Sequence, residues 1–170
     1  MAAFFGIDPG LASTGIALVE GEAMTVNHYS YGTVRTDPGN SVAQRLNHIF
    51  DEISEILTRF RPDAMIVEDV FFLPRYPKSG ITLGRVTGVI MLAGQRAGIP
   101  VNEIAVREVK QILTGNGNAG KKQLEASVRD RLDHPEPIKP SHASDALALA
   151  LTGLYRANIK TASFLNAGLD

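Results

Sequence analysis

The chain has 170 residues and no cysteine, which fits one domain with a sizeable core and excludes disulfides, thiol catalysis and Cys-ligated zinc. At 44% hydrophobic it is no disordered chain; no apolar run is long enough to span a bilayer, and the first residues lack the features of a signal peptide, so a cytoplasmic protein without membrane contact is expected. The net charge of −1 hides a segregation: residues 1–74 carry 4 Lys/Arg against 10 Asp/Glu, whereas residues 75–131 carry 10 against 4, enough for a basic surface.

Phe4 to Ile7 reads as a short apolar strand ending at Asp8-Pro9-Gly10. Pro9 and Gly10 suit the two central positions of a type II turn, because proline presets φ and glycine tolerates positive φ. Gly15 to Glu20 and Thr25 to Arg35 read as two further strands turning at Gly21-Glu22, an antiparallel meander. Ser41 and Gln44 stand at capping-box spacing. From there Val42, Leu46, Ile49, Phe50, Ile53, Ile56, Leu57 and Phe60 follow a helical period until Pro62. Ala64 to Val67 is continuously apolar, which suits a strand buried on both faces. Phe71 to Gly80, with Pro74 and Pro77, reads as a loop, and Ile81 to Ala97 as a helix rich in small residues. Val101 to Val106 is a strand and Arg107 to Leu113 a helix; Gly115 to Gly120 links it to a helix over Lys121 to Leu132. His134 to Pro140 is a loop, and Ser141 opens an apolar helix through about Arg156, leaving 157–170 as a loose tail. The order predicts an α/β fold over residues 1–156: one mixed five-stranded sheet, order 3-2-1-4-5, flanked by helices. Its site belongs at the carboxyl ends of strands 1 and 4, where connections leave in opposite directions.

Two nucleotide-binding patterns fail on context. Gly115-Asn116-Gly117-Asn118-Ala119-Gly120 matches GxGxxG but follows a helix, not a strand. Extended by Lys121-Lys122 it nearly matches a P-loop, yet the last position lacks the Ser or Thr hydroxyl that would hold magnesium. Lys121 and Lys122 sit near a helix start, where cations are disfavoured by about 0.3–1 kcal/mol each. A phosphate partner would relieve this; long stems reaching into water would do so too.

Three acidic positions fall at element ends. Asp8 ends strand 1, Glu68 ends strand 4 ahead of Asp69, and Asp145 lies in the last helix with His142 three residues before it on the same face. Several carboxylates in one cleft repel and resist desolvation unless cations neutralise them. Oxygen donors with one imidazole suit Mg²⁺ or Mn²⁺, and two such ions can drive phosphodiester hydrolysis. Taken singly, each residue has a structural use as turn starter, strand end or surface group.

Phe5-Gly6-Ile7-Asp8-Pro9-Gly10 with Thr14-Gly15 resembles the opening of the RuvC Holliday junction resolvases. So do the stretch Pro62 to Phe71, the block Arg107-Glu108-Val109-Lys110-Gln111, and His142-Ala143-Ser144-Asp145-Ala146-Leu147-Ala148. The resemblance spans about residues 3 to 155. It implies a ribonuclease H-like fold and a homodimer that resolves four-way DNA junctions by paired symmetric nicks, in recombination and repair, alongside a RuvA–RuvB branch-migration complex. It implies metal-binding catalytic carboxylates at Asp8, Glu68 and Asp145, with His142 where many members carry Asp. It implies DNA contacts from Phe71, Lys110 and Lys121, with Lys122 added from its place beside Lys121; Phe72 and Tyr76 are neighbours of less defined role. The alternatives are a YqgF-like nuclease of the same fold and a non-catalytic junction-binding module. An actin-like ATPase opens similarly but needs two lobes, and this chain supplies one.

Overall fold

The computed structural model describes residues 1–69 and 77–166. Five strands, β1 (Ala2–Asp8), β2 (Ser13–Glu22), β3 (Thr25–Arg35), β4 (Ala64–Glu68) and β5 (Val101–Ile104), form one sheet in the order β3-β2-β1-β4-β5. The first three are antiparallel; β4 lies parallel to both β1 and β5. Among the described residues the helices are α1 (Val42–Phe60), α2 (Pro77–Ala97), α3 (Val106–Thr114), α4 (Lys121–Leu132) and α5 (Ser141–Asn166). None among the described residues is long and apolar enough to cross a membrane.

Alternating side chains of the central strands go to opposite faces. Phe4, Ala17, Val19, Ala64 and Ile66 pack with α3, α4 and α5 on one face. Phe5, Ile7, Leu18, Met65 and Val67 pack with α1 and α2 on the other. That is why β1 and β4 read as unbroken apolar runs. The capping box at α1 is present in full: Gln44 N–H donates to the Ser41 hydroxyl, and the Gln44 side chain accepts from the Ser41 backbone.

The structure departs from the sequence pattern at several ends. α2 begins at Pro77 rather than Ile81, since proline lacks only an N–H that the first helical turn leaves unbonded. β2 runs on to Glu22, with a register shift at Glu20/Gly21, so the chain turns at Ala23-Met24. β5 stops at Ile104, and Val106 already belongs to α3. α5 continues to Asn166, ten residues past Arg156, because Ala157 to Asn166 contains neither proline nor glycine to break it. Gly10 does not take the positive φ of a type II turn; Gly98 and Gly115 are the glycines that do so among the described residues. Its need is steric: a Cβ there would lie 2.4 Å from the Ser13 carbonyl oxygen.

Candidate active site

Asp8 is the last residue of β1 and Glu68 the last of β4. The parallel pairing of Ile7 with Val67 makes these two strand ends neighbours. α5 crosses the same edge and presents His142 and Asp145 from its opening turns. It can lie this close because β1 and β2 carry glycines beneath it. A Cβ on Gly6 would sit 2.0 Å from the Ala146 carbonyl oxygen, and one on Gly15 2.0 Å from that of His142. In the sequence these glycines stand out only as letters of a motif; a glycine inside a strand is the signal of close backbone approach that identifies their role.

The segment after Asp8 is pinned from below. Thr14, fully buried, donates from Oγ1 to the Gly10 carbonyl at 2.8 Å. Thr36 Oγ1 donates to the Leu11 carbonyl at 2.6 Å and accepts from Arg45 Nε at 2.7 Å.

Asp8 is 6% exposed. Its Oδ2 accepts a hydrogen bond from Nδ1–H of His142 at 2.6 Å, which leaves Nε2 as the open imidazole nitrogen. Burial, a hydrogen bond with Asp8, and the charges of Asp8 and Asp145 push the Glu68 carboxyl from 4.5 up to about 8, against a downward pull from Lys121. Asp145 is raised as well, first by burial and then by Asp8, and is opposed by Lys121, His142 and Lys110. Lys121 Nζ stands 3.8 Å from Asp145 Oδ2. Its side chain is 82% exposed, so this pair contributes little to stability and leaves the ammonium group free to reorient.

Asp8, Glu68, His142 and Asp145 therefore line one cleft, with Lys110 and Lys121 at its rim and apolar walls including Val106 and Leu149. Lys122 lies outside it, in an adjoining depression. Phe71, Phe72 and Tyr76 lie outside the described residues. Among the described residues no three acidic or imidazole groups already stand as a cation's ligand shell. Instead Asp8 is held by His142, Glu68 by Asp8, and Asp145 by Lys121. The Gly115 to Gly120 stretch joins α3 to α4, as its helical context requires, with Gly115 capping α3 at φ 74°.

The family model described as crossover junction endodeoxyribonuclease RuvC matches residues 4–153. The crossover junction endodeoxyribonuclease RuvC of Geobacter metallireducens is 39% identical over 155 residues, covering 91% of this chain and 93% of that protein. Its counterpart from Brevibacillus brevis is 40% identical over 147 residues, covering 86% and 88%. Among solved structures, Thermus thermophilus RuvC in complex with a Holliday junction substrate superposes with a TM-score of 0.86 at 34% identity, covering 95% of this chain and 98% of that one.

Proposed function

The chain belongs to the RuvC family of crossover junction endodeoxyribonucleases, metal-dependent nucleases that resolve Holliday junctions, and from that premise we propose that the cleft at Asp8, Glu68, His142 and Asp145 is where it cuts. The observation that carries this is the convergence of three carboxylates on one half-buried cleft, where burial first, and then the hydrogen bond and charge of Asp8 and the charge of Asp145, raise Glu68 to about 8. A protein keeps such a cluster at a stability loss, and a hard divalent cation relieves it. The donor set fits: three carboxylates with the open Nε2 of His142 suit two Mg²⁺ or Mn²⁺ ions. When bound, such ions supply a water of lowered pKa and neutralise charge on the leaving oxygen.

The remaining work falls to the chain's own groups. Asp8, buried and clamped by His142, sets the floor of the cleft. Lys110 and Lys121 at the rim neutralise and orient the phosphodiester. Val106 and Leu149 limit water beside it. Lys110→Ala or Lys121→Ala should each lower the slope of log K against log salt for junction binding by about one per protomer. Slopes equal to that of the unaltered protein would make them solvated surface groups.

His142 bears on metal choice. Imidazole binds late first-row ions better than Mg²⁺, whereas an all-oxygen site suits Mg²⁺. His142→Asp should therefore raise nicking with Mg²⁺ relative to Mn²⁺. Identical metal ratios in the two proteins would place His142 outside the ligand shell.

Paired symmetric nicks need two sites related by a twofold axis, so the active form is a homodimer. α2 is its proposed interface. Ile81, Met91 and Leu92 are 54%, 38% and 52% exposed on it, and Gly84 and Gly88 have open space above them. Light scattering should give twice 18.3 kDa, with Leu92→Glu returning the monomer; a monomer alone before mutation contradicts this. Family membership extends the proposal to a RuvA–RuvB branch-migration complex as partner and to action in recombination and repair.

A further inference from the structure

A second depression adjoins the catalytic cleft. It lies between the first turn of α4, the loop leading into α5, and the first turn of α5. Lys121, Lys122, Lys139 and Ser144 line it, together with two carboxylates, Glu125 and Asp145. Lys121 and Asp145 also line the catalytic cleft, so the two hollows meet there.

Consecutive helical residues leave the axis about 100° apart. Lys121 turns towards Asp145, and Lys122 lines only the second hollow, where Lys139 joins it from the loop. Neither Lys122 nor Lys139 has an ion pair among the described residues. The carboxylates present do not neutralise them. Glu125 pairs with Arg129 Nε at 2.9 Å and accepts the backbone N–H of Ile138 at 3.0 Å, while Asp145 faces Lys121.

Two further features point to an anion. α4 opens on two lysines with no acidic residue in its first turn and no side-chain cap from Gly120, an arrangement the helix dipole opposes. Ser144 is only 5% exposed and lines the hollow, yet its hydroxyl makes no hydrogen bond among the described residues. Its oxygen is not among the fully buried side-chain atoms left unsatisfied, so it opens into the hollow, where a phosphate oxygen could accept its hydrogen bond.

We propose that this hollow holds a backbone phosphate of the cut strand, next to the scissile one, contacted by Lys122, Lys139 and Ser144. The proposal rests on the catalytic reading of the neighbouring cleft. In this account the strand passes over the start of α4, with Lys121 facing the scissile position and Lys122 the neighbouring one. The second contact fixes where along the strand the cleft closes.

The test is a metal-free titration of a synthetic four-way junction against salt. Lys122→Ala and Lys139→Ala should each flatten the slope of log K against log salt by about one per protomer. Arg59→Ala, on α1 across the sheet, removes one charge elsewhere and should leave the slope as it was. If Lys121→Ala flattens the slope but Lys122→Ala and Lys139→Ala do not, the second contact is overturned and the catalytic reading stands. If Lys121→Ala also has no effect, the second contact is overturned and Lys121 is a solvated surface group as well, while the catalytic reading stands or falls separately on loss of nicking in Asp8→Asn. A second arm replaces single phosphates of the cut strand by neutral methylphosphonates. One position besides the scissile phosphate should weaken binding to the unaltered protein and bring no further loss to Lys122→Ala. Equal losses in both proteins at every position would also overturn the proposal.

Discussion

Asp8→Asn, Glu68→Gln and Asp145→Asn should each reduce junction nicking at least about a thousandfold, because the lost charge stabilisation is worth several kcal/mol at about 1.4 kcal/mol per tenfold. Metal-free junction binding should stay nearly intact, since the lysines at the rim supply it. Glu68→Gln should show a second effect that no purely structural carboxylate would. In a chelator, where Glu68 has only Asp8 and Asp145 as charged neighbours of like sign, the variant should unfold at higher temperature than the unaltered protein. The sign follows from the raised carboxyl. The folded protein holds the Glu68 proton up to about 8 whereas the unfolded chain releases it near 4.5, so native stability falls as pH climbs through that window. Glutamine removes the fall. Its advantage is absent below the ordinary carboxyl range and is complete above pH 8. Calorimetry across that range checks it, and equal pH profiles for the two proteins would show that Glu68 is not under this electrostatic load.

Gly6→Ala should be the most damaging small substitution in the sheet. The added Cβ would stand 2.0 Å from the Ala146 carbonyl oxygen and 2.6 Å from the Ala150 nitrogen, both backbone atoms of α5. No rotamer relieves a backbone clash, so α5 must shift and carry His142 and Asp145 away from Asp8. Overpacking of this kind costs about 3 kcal/mol, a fall in Tm of roughly 6–12 °C. Gly32→Ala on β3, where a Cβ meets nothing within 4 Å, should instead be neutral or gain up to about 1 kcal/mol. Equal melting temperatures for Gly6→Ala and the unaltered protein would mean that α5 does not rest on β1 as described.

Much of this was legible in the residues. The period of Val42 to Phe60 and the Ser41–Gln44 box locate α1, and the unbroken apolar run at Ala64 marks a strand covered on both faces. Strand order then follows from the sequence of elements, and with it the meeting of Asp8 and Glu68. Element ends were less legible because they depend on tertiary contacts that leave no local trace. Pro77 opens α2 where a proline-bearing loop was expected, and Gly10 answers the Ser13 carbonyl rather than a turn's positive φ. Lys121 and Lys122 look alike in the sequence. Only their angular separation on α4 sends one to the cleft and the other to the hollow beside it. The hydrogen bond between His142 and Asp8 joins residues 134 apart, a distance over which no spacing rule operates.

The central claim is that this one cleft cuts four-way junctions in a metal-dependent way. The direct measurement maps the nicks made in a synthetic immobile junction, both strands of each arm labelled, with Mg²⁺, with Mn²⁺ and with chelator. The account predicts two cuts at symmetry-related positions in opposed strands, present with either metal, absent in chelator, and lost in Asp8→Asn. Cleavage that persists unchanged in Asp8→Asn, or an intact junction under both metals, would contradict it.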